Sequence, residues 1–406
     1  MSSRRSTFAA VALCDLAMMI LAVATSLLPV FLTTLSREFG GEAGLSAEQL
    51  GRVGAFTFVG LVVGILVTGP LADWLGGRLF AVGGNLLVAI GLAMLAYAPT
   101  YSMVLIASGV MGLGAGALDM ILSPIVSALQ PHRRAIAMNL LHSFYCTGAV
   151  ITILAGSVAL RYDVSWRTLA LALLAAPLLI GLAFAFVKLP PLVESGGQRM
   201  RLAALMRQPY FLVALLALFL GGATEIGMAY WLPAYAEKTL GYSPWTAGMA
   251  LLAFSVAMTL GRLGIAFLPM KINVISLMLA CCVASVILFV IASFSPIAAI
   301  AVGACVLVGL TGSCLWPSTL AVAADRYPHG GATMFALLAA MGNFGGIFMP
   351  WAVGVVADRS SLRWGLVTSA LCPLLMIGLL LWMRRRTPAT PPDDVTRAQA
   401  VVVGRE

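Results

Sequence analysis

The sequence has 406 residues, of which 61% are hydrophobic and only 10% are charged. A typical soluble domain carries about 25% charged residues, so this composition excludes a water-soluble globular chain. The formal net charge of +9 could indicate a nucleic-acid partner, but the positions of the basic residues decide that question.

Twelve apolar stretches, numbered here as spans 1 to 12, follow one another from about residue 8 to about residue 383. About 20 helical residues cross the hydrocarbon core of a bilayer, and backbone polar groups must bond within the segment there. The sequence therefore predicts an all-α membrane protein with twelve transmembrane helices. With the N-terminus inside, most of the 24 Lys and Arg residues fall on the cytoplasmic side, as the positive-inside rule requires. We expect both termini in the cytoplasm, a bacterial-type inner membrane as the location, and no nucleic-acid partner.

The chain contains an internal repeat. Two related six-helix bundles can rock about a site at their interface, as in many secondary transporters. We predict an N-terminal bundle at residues 1–188, a cytoplasmic linker at 189–209, a C-terminal bundle at 210–386 and a disordered cytoplasmic tail at 387–406. One shift of 197 residues superposes glycines of several spans, placing Gly51 on Gly248, Gly64 on Gly261, Gly112 on Gly309 and Gly148 on Gly345.

The loop between spans 2 and 3 reads Gly69-Pro-Leu-Ala-Asp73-Trp-Leu-Gly76-Gly77-Arg78. It resembles the signature loop of the major facilitator superfamily, and the resemblance covers nearly the whole chain. The resemblance implies a two-bundle transporter fold in which Gly69, Asp73, Gly76 and Arg78 form a conformational latch between the halves. Glycine permits close helix approach, and a carboxylate is favoured at a helix N-terminus. Arg262 of span 8 is assigned to the corresponding latch in the second half. The alternative for the loop between spans 2 and 3 is an ordinary turn.

Several segments resemble the fucose, galactose and glucose proton symporters of that superfamily. Span 4 has Asp119 before Ser123-Pro124, span 7 has Glu225 before Trp231–Tyr235, and span 10 has Trp316-Pro317. The resemblance implies proton-coupled sugar uptake by a protein expected to be a monomer. In span 1, Thr25 stands where that branch commonly has an acid. This difference weakens the inference that the substrate of this chain is also a sugar.

Three carboxylates lie inside predicted spans, namely Asp15, Asp119 and Glu225. A charged side chain at the bilayer centre costs about 2.5 to 3.5 kcal/mol, so each needs a partner, a proton or a function. Asp119 and His142 lie at similar predicted depth and could interact. We predict proton coupling for Asp119, Glu225 and His142, with substrate binding or a structural pair left open for Asp119. A structural role is favoured for Asp15.

Sugar sites combine flat apolar faces with amides or carboxylates that bind hydroxyl groups. The predicted solute-binding residues are Asn139, His142, Tyr145, Glu225, Trp231, Trp316 and Asn343. For each aromatic residue, packing or an interfacial position is the alternative. No cysteine spacing suggests a metal, and no phosphate-binding loop is present. We therefore expect no enzymatic activity, no cofactor and no metal site, with a small solute, the proton and the lipid bilayer as partners.

The leading functional hypothesis is proton-coupled uptake of a neutral solute such as a monosaccharide. Proton-driven efflux of a drug-like or metabolic compound is the alternative within transport. A non-transporting sensor or scaffold on the same fold is the alternative from another class, and the retained intramembrane acids argue against it.

Overall fold

The structure, a computed structural model, describes residues 2–130, 134–190, 202–266, 273–327 and 331–386. Within these ranges there is no strand, and twelve helical spans are long and apolar enough to cross a membrane, which confirms the predicted all-α membrane fold. Short helices at Leu32–Phe39, Gly41–Ala43 and Leu202–Leu205 accompany them. The spans comprise the helices Ser2–Val30, Ala47–Leu75, Gly77–Ala96, Tyr101–Leu129, Arg134–Arg161, Trp166–Phe186, Pro209–Lys238, Pro244–Ala266, Val274–Phe294, Ala298–Gly312 with Leu315–Arg326, Gly331–Arg359, and Leu362–Thr368 with Leu371–Arg386.

The ends of the spans follow local capping chemistry. Span 2 begins with a capping box, in which the Ser46 hydroxyl accepts from Gln49 N at 3.1 Å and Gln49 accepts from Ser46 N at 2.9 Å. Two unpaired backbone N–H groups are thereby satisfied. Span 2 ends at Gly76, whose φ of +78° is readily adopted only by glycine.

Glycines set the packing inside each half. A Cβ built on Gly112 of span 4 would lie 1.9 Å from Thr57 O of span 2, so only glycine allows this backbone contact. The residues that the repeat places on this pair make the same contact, because a Cβ on Gly309 would lie 2.6 Å from Phe254 O. Close approach of backbones stabilises membrane helices through van der Waals packing, since lipid supplies no hydrophobic driving force between them.

The two halves meet most tightly at one end, called the closed end here, where spans 5, 7 and 11 terminate and spans 2 and 8 begin. A Cβ on Gly51 would lie 2.3 Å from Pro350 O, and a Cβ on Gly354 would lie 2.4 Å from Ala47 O. Spans 2 and 11 are therefore in backbone contact. Among the described residues, the hydrogen bonds between the halves are concentrated toward this end.

Tyr230 of span 7 adds a buried link between the halves. Its hydroxyl donates to Leu50 O at 2.6 Å and accepts from Gly54 N at 2.9 Å. The phenol thus stands between a carbonyl and the amide four residues later in span 2. A Cβ on Gly54 would lie 2.5 Å from the Tyr230 ring, so glycine makes room for this insertion.

Candidate functional site

A cavity lies between the halves, next to the closed end. Spans 1, 2 and 5 line it from one half and spans 7 and 8 from the other. Its lining is mainly apolar, with a few hydroxyls and a single carboxylate, and consists of Thr25, Ser26, Pro29, Phe58, Tyr145, Ala149, Ile153, Glu225, Ile226, Ala229, Tyr230, Leu251, Phe254, Ser255 and Met258.

The carboxylate of this cavity, Glu225, forms an ion pair with Arg262 of span 8. The Arg262 Nη2 atom donates to both carboxylate oxygens, at 2.9 and 3.0 Å. The Glu225 side chain is 14% exposed and that of Arg262 is 26% exposed. Nothing in the sequence spacing predicts this pair, since the residues lie on different spans and Arg262 was grouped with the latch. The structure places its guanidinium on Glu225 instead.

Two further features hold Arg262 in place. Its Nη1 atom lies 3.9 Å from the Cys146 sulfur of span 5, so the side chain touches both halves. Span 10 is interrupted between Gly312 and Leu315, and a Cβ on Gly261 would lie 2.2 Å from Ser313 Oγ at that interruption. Interrupted helices next to a central site are common in secondary transporters. Gly261 allows span 8 to approach the interruption closely.

Span 5 contributes the residues that face the pair from the other half. The Tyr145 hydroxyl lies 3.3 Å from Thr25 Oγ1, and both residues line the cavity. His142 lies one turn before Cys146 and is exposed. The structure therefore brings the predicted site residues His142, Tyr145 and Glu225 to one region.

The other intramembrane acids have no such partner. Asp119 is partly exposed, and it makes no hydrogen bond or ion pair with any described residue. The interaction with His142 that their similar depth suggests is absent. Asp15 is 5% exposed, and its Oδ1 atom has no hydrogen-bond partner in the described part of the chain. Among the described residues, no basic side chain forms an ion pair with Asp15, so the structural role favoured for it stays a prediction.

Three predicted solute-binding residues are packed away from the cavity lining. Trp231 is 1% exposed, and its Nε1 atom donates to Pro350 O at 3.0 Å. The Trp316 ring packs directly against Gly342, where a Cβ atom would lie only 2.3 Å from the ring. The Asn343 amide donates to Ala339 O of its own span at 3.0 Å. The structure thus gives no support to solute contacts by these three residues, while the Asn139 side chain lies outside the described residues.

The predicted latch looks different in the structure. A Cβ on Gly69 would lie 3.7 Å from Met120, an ordinary contact, so the close approach expected at Gly69 is absent in this conformation. Arg78 Nη2 donates to Val187 O at 2.9 Å and stays within its own half. The Asp73 side chain lies outside the described residues. The role of this loop as a latch therefore stays a prediction.

A polar cluster at the closed end was not among the predicted site residues. Asp358 of span 11 accepts from Ala47 N and Glu48 N of span 2, at 2.7 and 2.8 Å. Glu237 of span 7 accepts from Thr33 Oγ1 and from Arg37 Nη2, each at 2.6 Å. A sequence signal existed for the first contact. Gly354-Val-Val-Ala-Asp358 has the glycine, alanine and aspartate of Gly69-Pro-Leu-Ala-Asp73 at the same spacing.

Comparisons with known proteins agree with this architecture. The family model of the Major Facilitator Superfamily matches residues 14–309 and 270–404. A gentisate transporter of Corynebacterium glutamicum is 24% identical over 392 residues, covering 89% of this chain and 86% of the relative.

Solved structures show the same fold. A D-xylose-proton symporter superposes with a TM-score of 0.73 at 15% identity, covering 91% of this chain and 97% of the other. The fucose:proton symporter of E. coli superposes with a TM-score of 0.67 at 19% identity, covering 93% and 99%. The family model spans most of the sequence, and the twelve-span bundle is the fold of these transporters. The chain therefore belongs to the major facilitator superfamily and is a multi-pass membrane transporter, not an enzyme.

Proposed function

We propose that this transporter couples the movement of a proton to that of a small polar solute by alternating access of the central cavity. The observation that carries the proposal is the Glu225–Arg262 ion pair beside a largely apolar cavity between the halves. An ion pair buried at membrane depth is weak evidence for stability, because desolvation offsets much of the attraction. Charged groups inside membrane spans mark substrate, ion or proton pathways by default.

The orientation follows from charge. By the alternation of the spans along the sequence, most Lys and Arg residues are assigned to the side opposite the closed end. By the positive-inside rule that opposite end faces the cytoplasm, with both termini. The structure then corresponds to an inward-facing state, closed on the outside by the contacts between spans 2 and 11. If these contacts broke and the opposite end closed, the cavity would open to the other side of the membrane.

The proton path in this proposal uses Glu225 and Asp119. Glu225 can exchange its partner Arg262 for a proton, and Asp119 carries a carboxyl group with no hydrogen-bond partner among the described residues. The relatives include symporters for fucose and D-xylose and a transporter for gentisate. A monosaccharide remains a candidate solute, although the packed positions of Trp231, Trp316 and Asn343 remove three of its expected contacts.

The test is accumulation in proteoliposomes with and without an imposed inward proton gradient. Radiolabelled monosaccharides, nucleosides and organic acids form the panel, and liposomes without protein are the control. We expect at least one solute to accumulate only with the gradient, and a protonophore to abolish that accumulation. Equilibration of every transported solute without accumulation would show uncoupled transport. Absence of any protein-dependent flux would favour a sensor or scaffold.

A further inference from the structure

The guanidinium of Arg262 has donors that Glu225 does not use. Arginine carries five N–H donors in a planar fork. Only Nη2 bonds to the Glu225 carboxylate. Nη1 faces the Cys146 sulfur at 3.9 Å, a weak acceptor, and the buried Nε has no acceptor among the residues that the structure describes. A buried donor without an acceptor requires an explanation, and an incoming ligand that supplies acceptor oxygens would provide one.

The chemistry of arginine selects among ligands. A guanidinium binds a carboxylate through two parallel, charge-assisted hydrogen bonds. A neutral hydroxyl can accept one of these bonds but supplies no charge. The spare donors therefore favour an anionic group over a sugar hydroxyl.

Charge balance links this ligand to the proton. With Glu225 ionised, the pair is neutral, and a second carboxylate would place two negative charges on one guanidinium. A proton on Glu225 removes its charge and leaves Arg262 free to pair with the incoming carboxylate. One proton then accompanies one monoanion, and the complex has the same net charge as the empty site.

Other groups near Arg262 must be considered as alternative proton acceptors. Span 5 presents His142, Tyr145 and Cys146 toward the pair, and span 7 presents Glu225. Span 10, packed on another side of span 8, places Ser313 against Gly261. No charged group of span 10 acts on Arg262 in the described chain. His142 is therefore the main competitor for the proton, and it requires its own variant.

Arg262 is not itself a lining residue, but its partner Glu225 is, so the cavity that Glu225 lines describes the body of the ligand. Phe58, Ile226, Leu251, Phe254 and Met258 give it apolar walls, and Met258 lies one turn before Arg262 on span 8. Apolar walls suit a flat or compact hydrocarbon body. On the basis of the proposed function, we infer that the solute is a small organic monoanion with an apolar, aromatic-sized body, and that its carboxylate replaces Glu225 on Arg262.

The experiment measures equilibrium binding of radiolabelled benzoate and its neutral counterpart benzamide to the purified full-length protein, at pH 5.5 and pH 7.5. Binding is used because benzoic acid crosses lipid unaided. The variants are Arg262→Gln, Arg262→Lys, Glu225→Gln and His142→Gln. Glu42→Gln, at an exposed position of the short helix Gly41–Ala43, is the matched control. Size-exclusion chromatography reports whether each variant is folded.

Wild type should bind benzoate at least tenfold more tightly at pH 5.5 than at pH 7.5, and should bind benzamide at least tenfold more weakly than benzoate at pH 5.5. Glu225→Gln should bind benzoate equally at both pH values, because Arg262 is then always free of a charged partner. Arg262→Gln should lose at least tenfold in benzoate affinity at pH 5.5, with Arg262→Lys intermediate. Glu42→Gln should keep the wild-type affinity and pH dependence. Loss of the pH dependence in folded His142→Gln, with the dependence kept in Glu225→Gln, would assign the proton to His142 and overturn the exchange at Glu225. If Arg262→Gln does not fold, Glu225→Gln and benzamide still decide the question.

Equal affinity for benzoate and benzamide, unchanged affinity in folded Arg262→Gln, or no benzoate binding to wild type at either pH would overturn this inference. The proteoliposome panel separates that failure from failure of the proposed function. Gradient-driven accumulation of a neutral solute alone would leave proton-coupled transport standing and remove the anion. Absence of any gradient-driven accumulation would remove the coupled transport itself, whatever benzoate does.

Discussion

Asp358 accepts a hydrogen bond from the backbone N–H of Ala47 at 2.7 Å, so a carboxylate of span 11 caps the N-terminus of span 2 across the interface between the halves. Its second oxygen accepts from Glu48 N at 2.8 Å. The first N–H groups of a helix have no partner within the helix, and the helix dipole favours an anion there. Asp358 thereby stabilises the closed end.

We expect Asp358→Asn to shift the protein toward conformations in which the two halves separate at the closed end. A charged group at a helix N-terminus contributes about 0.3 to 2 kcal/mol, so the ratio of open to closed molecules should rise by up to roughly thirtyfold. Spin labels on the exposed residues Glu42 and Ile297, one in each half, would report a longer distance component. Asp163→Asn is the control, because Asp163 is an exposed carboxylate at the same end with a φ of 53°, which asparagine also tolerates. Identical distance distributions in Asp358→Asn and wild type would contradict the capping role.

A second contact between the halves lies at the closed end, at the position that the repeat relates to the Asp358 cap. Shifting Asp358 and Glu48 by the repeat places them on Arg161 and Trp245, and the Arg161 guanidinium lies 5.0 Å from the centre of the Trp245 ring. The two contacts join the last turn of spans 11 and 5 to the first turn of spans 2 and 8. The same position thus carries a helix cap on one side of the pseudo-twofold axis and a cation–π contact on the other.

The spans could be predicted from sequence because membrane burial imposes long apolar runs that need no knowledge of partners. Hydropathy alone does not show every helix end. The apolar run of span 1 continues to Leu35, but the helix ends at Val30, one residue after Pro29, and a new helix begins at Leu32.

The site was harder to predict, because a single sequence gives the depth of a residue but not its neighbours. Glu225 was singled out because an acid in a span needs a reason; it lines the cavity between the halves, while its role in transport stays a prediction. Its partner Arg262 was not found, because 37 residues and a loop separate the two. Trp231 was selected for its aromatic ring, but the same ring also packs well in a core, and its N–H is satisfied by Pro350 O.

Gly261 should tolerate no side chain. A Cβ there would lie 2.2 Å from Ser313 Oγ, while a Cβ on Gly264, three residues later on the same span, would meet nothing within 4 Å. Gly261→Ala should therefore lower stability by about 1 to 3 kcal/mol through overpacking and reduce transport by displacing Arg262. Gly264→Ala should be neutral or stabilising by up to about 1 kcal/mol, since alanine favours helix. Thermal unfolding in detergent and uptake would measure both effects.

A second-site change tests the cause of the Gly261→Ala defect. Ser313→Gly removes the Oγ and Cβ atoms that the new methyl group meets, so the double variant should recover part of the lost stability. Equal thermal stability of Gly261→Ala and Gly264→Ala would show that span 8 can move away from span 10 without loss.

The loop between spans 2 and 3 should affect transport more than folding. Alanine fits at Gly69 in this conformation, since its Cβ would make an ordinary contact with Met120. We therefore expect Gly69→Ala and Asp73→Asn to be expressed and folded like wild type but to transport about tenfold more slowly, if this loop stabilises the opposite conformation. Fluorescence-detected size exclusion and initial uptake rates would separate the two effects. Normal rates in both variants would show that the loop is only a turn.

The orientation of the bundle has a direct test. An even number of spans and the distribution of basic residues predict that both termini lie in the cytoplasm. A fusion of green fluorescent protein after Glu406 should be fluorescent, and a fusion of alkaline phosphatase at the same position should be inactive. The reverse pattern would place the closed end in the cytoplasm and make the structure outward-facing.

Asp119 is the residue whose replacement best separates proton coupling from solute binding. Asp119→Asn keeps the size of the side chain and a hydrogen-bonding amide, but an amide does not titrate in this range. If Asp119 carries the proton, net accumulation driven by a pH gradient should fall to the level of empty liposomes. Counterflow, in which external labelled solute exchanges for internal unlabelled solute, should keep roughly the wild-type rate, because exchange requires reorientation of the loaded carrier but no net proton movement.

The corresponding acid-to-amide change at Glu225 of the ion pair should have a different effect on solute binding. Glu225→Gln should alter solute affinity as well as accumulation, because Glu225 lines the cavity and holds Arg262, whereas Asp119 is not among the cavity-lining residues. Both assays should use one vesicle preparation, so that protein content and leak are shared. Unchanged accumulation by Asp119→Asn would leave Asp119 with a structural role. A joint loss of counterflow and accumulation in a folded Asp119→Asn protein would instead place Asp119 in solute binding or in the conformational change itself.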